Sequence, residues 1–63
     1  MYPNLDAEQA RRGHSDGYIA SALGISVEEF QARKASKTME LPEAEALAAM
    51  YGWSTEYLFE TGV

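Results

Sequence analysis

Sixty-three residues make one domain of marginal size, since a chain this short hides only about 60% of its unfolded surface. The absence of cysteine excludes disulfides and thiolate metal sites as supplements to the core, and no apolar run approaches the roughly 20 residues that span a bilayer. The formal net charge of −5 is unevenly placed: residues 1–37 hold all five basic side chains against five acids, whereas residues 38–63 hold five glutamates and no base.

The opening segment, Met1 to Asp6, lacks a basic stretch followed by an apolar one, so a secretory leader is not expected and a cytoplasmic location is. The first helix is predicted from about Asn4 to Arg12. Asn4 is placed to accept from the early amides, Asp6 and Glu8 suit the positive end of the dipole, Arg11 and Arg12 the negative end, and Gly13 stops it. Its apolar stripe is thin: Leu5, Ala7 and Ala10, with Tyr2 folding back over it. His14 follows as a lone packing histidine without a partner nearby in sequence.

Ser15 caps a second helix, roughly Asp16 to Leu23, which Gly24 ends in a left-handed conformation. Gly17 weakens its first turn by up to about 1 kcal/mol relative to Ala. Ser26-Val27-Glu28-Glu29 is a capping box that starts a third helix lasting to about Ala35. Apolar Ile19, Leu23, Ile25 and Phe30 fall on inner faces, and Ala20 is small enough for the two helices to cross closely. Two short helices joined by a glycine turn have the sequence form of a helix-turn-helix, which sets its second helix in the DNA major groove.

Ser36 to Glu40 reads as a connection. A fourth helix covers Leu41 to Tyr51, with Pro42 in its first turn, Gly52 closing it, and Ala44, Leu47, Ala48 and Tyr51 facing inward. Ser54 caps a short fifth helix through Phe59, with Trp53 and Leu58 at the spacing of a hydrophobic staple. The terminal aromatic cluster of Tyr51, Trp53, Tyr57, Leu58 and Phe59 is expected to be mostly core, its remainder meeting a second subunit.

The order and spacing of Met1-Tyr2-Pro3-Asn4-Leu5, Ala10-Arg11-Arg12-Gly13, Ile19 to Ser26, Phe30, Leu41 with Glu43-Ala44, and Ser54 to Phe59 resemble the Cro/C1-type (XRE-like) helix-turn-helix family of bacterial and phage repressors. The likeness covers nearly the whole chain. It implies an all-α, compact five-helix bundle containing a helix-turn-helix, a lambda-repressor-like DNA-binding domain over residues 1–63, acting as a homodimer on double-stranded DNA. Carried over, the base-facing positions are Val27, Glu28, Gln31 and Ala32. The phosphate-facing ones are Ser15, Asp16, Arg33, Lys34, Ser36 and Lys37.

Four features depart from the family pattern, one being His14, which stands where relatives often hold an apolar residue. Asp16 stands where a glutamine commonly donates to phosphate, Glu28 can accept from cytosine N4 but not meet the acceptors of guanine or thymine, and the third helix stops short around Lys34-Ala35-Ser36. These acids support an alternative in which the same fold serves as a protein-interaction module, an anti-repressor or regulatory partner. If three to five cations contact phosphate, the salt slope is about −0.9 per contact and the affinity modest, which makes a dimer almost a requirement. Arg11 and Arg12 are candidates for surface pairing with Asp16 or Glu8. No catalytic residue, cofactor or metal is expected: there is no Gly-rich phosphate loop, no His pair, no calcium-ligand spacing and no nucleophile–base–orienter set.

Overall fold

Capping residues set where each helix begins. The computed structural model describes residues 2–61 and contains α1 (Pro3–Arg12), α2 (Asp16–Leu23), α3 (Val27–Ser36), α4 (Leu41–Tyr51) and α5 (Thr55–Leu58), with no strand among the described residues. Ser15, Ser26 and Ser54 are extended N-caps that accept from the amides of Tyr18, Glu29 and Tyr57 respectively. The capping box at Ser26 is complete, because Glu29 reaches back to the Ser26 amide.

Two boundaries differ from expectation. Asn4 is not a cap: Tyr2 holds that position, extended at φ −111°, and Pro3 occupies the first helical turn, where its fixed φ and missing N–H cost nothing. The Asn4 amide instead donates to the Tyr57 carbonyl at 2.8 Å and to Glu60 Oε2 at 3.3 Å, tying α1 to the chain end. α3 runs one residue further than expected, through Ser36, and Lys37 closes it at φ 59°. That is left-handed backbone on a residue other than glycine, the costly form of a helix stop. Gly24 makes the same stop cheaply at φ 74°, with the Ile25 amide returning to the Ala20 carbonyl at 3.0 Å.

The core collects one face of every helix. Leu5, Ile19, Phe30, Leu47 and Leu58 are fully enclosed, with Tyr2, Ala20, Ala48 and Tyr51 buried around them and Leu23, Ile25, Met39 and Phe59 packed on the margin. Each large side chain removed from water contributes about 1.5–3 kcal/mol. Tyr2 meets Phe59 edge to face at 5.1 Å, and its hydroxyl accepts from the Met39 amide at 3.1 Å, closing the core between α1, the α3–α4 connection and α5. The expected inward stripe of α4 is present: Ala44, Leu47, Ala48 and Tyr51 are buried.

The α1 stripe is corrected. Ala7 and Ala10 face solvent, and the inward positions are Leu5, Glu8 and Gln9. At 3.6 residues per turn, positions 5, 8, 9 and 12 share one side of a helix. The chain therefore buries polar groups there, and each of them needs a partner. Trp53 is 41% exposed and stacks on Tyr57 at 4.4 Å rather than sinking into the core.

Candidate functional site

α2 and α3 meet across the Gly24–Ser26 turn, anchored by Ile19, Ala20 and Phe30. Val27, Glu28, Gln31 and Ala32 are all exposed, on positions of α3 that share one side, while Phe30 and Lys34 turn inward. The starts of the two helices lie together: a Cβ added at Gly17 would sit 3.8 Å from Val27 Cγ2. Gln31 Nε2 donates to Asp16 Oδ2 at 3.2 Å, linking the middle of α3 to the first turn of α2. Ser15 and Ser36 are exposed, but both oxygens already serve the backbone: Ser15 Oγ accepts from Tyr18, and Ser36 Oγ donates to the Ala32 carbonyl at 2.8 Å.

Lys34 is not outward-facing. It is 7% exposed, and its ammonium donates to Asp16 Oδ1 at 2.9 Å, Gln9 Oε1 at 3.0 Å and Asp6 Oδ1 at 3.1 Å. Those three bonds use all three donors of a lysine. Gln9 Nε2 also donates to Asp16 Oδ1 at 3.1 Å and to the His14 carbonyl at 3.3 Å, so α1, α2 and α3 are joined through one polar knot. Partial burial pushes the Asp16 carboxyl up. The hydrogen bonds from Lys34, Gln9 and Gln31 and the nearby Lys34 charge outweigh it, leaving the group below its ordinary value. Asp16 thus serves as an internal counter-ion for Lys34.

Arg33 is half-buried and surrounded by carboxylates. It pairs with Glu43, with Glu29 at 3.3 Å, and at the limit with Glu40 at 4.0 Å. The Glu43 hydrogen bond is the main cause of a guanidinium held above its usual range. Arg11 and Arg12 belong to a second cluster around the fully buried Glu8, not to Asp16. Arg12 Nε lies 3.3 Å from Glu8 Oε1, and Arg11 Nη1 lies 3.0 Å from Oε2 without hydrogen-bond alignment. Arg12 also donates to the Tyr51 carbonyl at 3.0 Å and covers the Tyr51 ring at 4.4 Å. His14 packs, as expected of a lone histidine, between Tyr18 at 4.4 Å and Tyr51 at 5.6 Å, its Nδ1 2.8 Å from the Tyr51 hydroxyl. Burial raises the Tyr51 phenol above its ordinary value, with Arg12 acting in the opposite sense.

Lys37 is therefore the one basic side chain without an ion-pair partner among the described residues. The expected phosphate-facing trio divides into an exposed cation (Lys37), a carboxylate-matched one (Arg33) and a buried one (Lys34). The partners Asp6, Gln9 and Glu43 were not anticipated. The available signal was the spacing Leu5-Glu8-Gln9-Arg12, which puts polar groups on the buried side of α1. Among the described residues there is no enclosed cavity and no group of three or more metal-ligating side chains, and no helix is long and apolar enough to cross a membrane. No protein-family model matches this chain, and no curated protein or solved structure matches it significantly.

Proposed function

We propose that this chain is a small helix-turn-helix transcriptional regulator of the bacterial or phage repressor type, presenting α3 to the major groove of duplex DNA as a homodimer. The carrying observation is the outward row of Val27, Glu28, Gln31 and Ala32 on a helix whose Phe30 and Lys34 are locked inward. An element of ten residues, about 15 Å long, fixed on one side and exposing Glu28 and Gln31 on the other, fits a groove about 12 Å wide. Glu28 would accept from cytosine N4, and Gln31, once released from Asp16, would pair with adenine. The exposed starts of α2 and α3 offer amides and Ser15, and Lys37 supplies charge at the far end of α3. Binding is weak and salt-sensitive, because Arg33 and Lys34 are already matched.

That same matching favours a second reading, in which the fold is a protein-interaction module and the α3 surface meets a protein. The two separate in one experiment: fluorescence anisotropy of labelled duplex DNA at about 50 mM salt, with protein concentrated enough to dimerise. The regulator reading expects saturable binding, with Kd on the order of 1–100 μM for non-specific sequence. Lys37→Glu abolishes it and Glu28→Gln strengthens it, with helicity unchanged in both. Absence of binding by the dimer at that salt refutes the regulator reading, and binding created only by Glu28→Gln assigns the fold to the second.

A further inference from the structure

α4 is apolar on two sides. Its inward residues fill the core, yet Pro42, Ala46, Ala49 and Met50 are exposed on the other side, and Trp53 is exposed just beyond the left-handed Gly52 that ends the helix. At 100° per residue, positions 42, 46, 49 and 50 fall within about 100° of one another around α4. Met50 is 39% and Trp53 41% exposed, and Trp53 is widened by its stack on Tyr57. The outer side thus leaves apolar surface uncovered between Glu43 on one edge and Glu45 on the other.

The charges around this strip identify the cover. Glu45 stands along one edge and Glu56 follows Trp53 by three positions, both exposed and without an ion-pair partner among the described residues, and residues 38–63 contain no base. The nearest cations are already matched: Arg33 by Glu43 on the other edge, and Arg12 by Glu8. A second copy of the chain fits poorly. The matching α4 face of a second copy would bring no base to these glutamates, since residues 38–63 contain none. We propose that the outer face of α4, with Trp53, docks a basic amphipathic helix of a partner protein, its apolar side on Ala46, Ala49 and Met50 and its Lys or Arg side chains on Glu45 and Glu56. From Pro42 to Met50 the strip is about 12 Å long, which matches a partner segment of about two turns. This interaction goes beyond DNA recognition by α3 and does not depend on it.

Trp53 is the sole tryptophan, so it reports on its own surface. The probe is a synthetic Leu/Lys peptide of helical periodicity lacking tryptophan, beside a scrambled peptide of the same composition and a Leu/Glu counterpart. A saturable blue shift of Trp53 emission is expected with the Leu/Lys peptide alone, weakening as salt is raised. Ala49→Gln, which leaves charge unchanged, lowers affinity by about tenfold without altering the melting temperature. An unchanged emission, an equal response to either control peptide, or unaltered affinity in Ala49→Gln overturns the proposal. Sedimentation showing self-association that Ala49→Gln abolishes would assign the face to a second copy and overturn it as well.

Discussion

α3 and α4 are nearly equal in length, ten and eleven residues, and both press one side into the same core, yet they meet solvent with different chemistries. The outer side of α3 mixes Glu28 and Gln31 with Val27 and Ala32, and two of its cations are consumed locally: Arg33 by Glu29 and Glu43, Lys34 by Asp6 and Asp16. The outer side of α4 is largely apolar; Arg33 matches Glu43 on one edge, whereas Glu45 on the other has no ion-pair partner among the described residues. Formal charge along the chain suggests a neutral, cation-bearing front and an acidic tail. In the folded molecule the front has spent its cations inside, so the contrast between the helices is one of satisfied against unsatisfied surface.

Lys34→Met tests that contrast most severely. It leaves Asp6 and Asp16 without their cation, and breaking a buried pair by removing one partner costs about 3–5 kcal/mol. Both carboxylates retain some access to water, with side chains 36% and 28% exposed, so the expected loss is at the lower end, about 2–3 kcal/mol. For a domain of this size that lowers Tm by roughly 10–20 °C, read by thermal circular dichroism. A variant as stable as the parent would show that the knot does not hold α3. Next in size is Ser26→Ala, which removes one half of the capping box at the start of α3 and costs about 1 kcal/mol in urea unfolding.

Two backbone substitutions are expected to stabilise, each by about 0.4–1 kcal/mol in urea unfolding. Gly17→Ala adds a methyl group in ordinary contact with Ser15 and Val27, and Lys37→Gly relieves the left-handed stop of α3. Lys37→Gly also deletes the unmatched cation, so it should raise Tm while weakening retention on DNA. The two effects moving together would contradict the role given to Lys37.

Acid adds a further test. The folded value of Asp16 lies below its unfolded value of about 3.9, so its contribution is complete above that pH. It shrinks as pH falls below about 4, because the unfolded chain takes up the proton first, and it vanishes once pH is below the folded value. Lys34→Met should flatten this part of the stability profile. The smallest effect is expected on α4, where Ala49→Gln should change stability by less than about 0.5 kcal/mol, since its neighbourhood is solvent.

Much of this architecture is legible in the residues themselves. Ser15, Ser26 and Ser54 mark three helix starts through a local hydrogen bond, Gly13, Gly24 and Gly52 mark three ends, and the Ala44–Tyr51 stripe follows from period alone. What depends on distant partners is not. Asn4 looks like a cap because the residue type favours one, whereas Pro3 shifts the start and the Asn4 amide finds Tyr57, 53 positions away. Lys34 looks like the end of an exposed basic run, whereas its partners lie 18, 25 and 28 positions back. Local rules place a charge on a helix; only the crossing of three helices decides whether it meets water or a carboxylate.

How many cations the α3 surface can offer to phosphate is best read from the salt dependence of duplex DNA binding by the wild-type protein, as the proposed dimer. With Lys37 alone from each protomer, log K against log salt should have a slope of about −2. A slope of about −5 would mean that Arg33 and Lys34 leave their carboxylates for the backbone, and the sequestered-charge picture would be wrong.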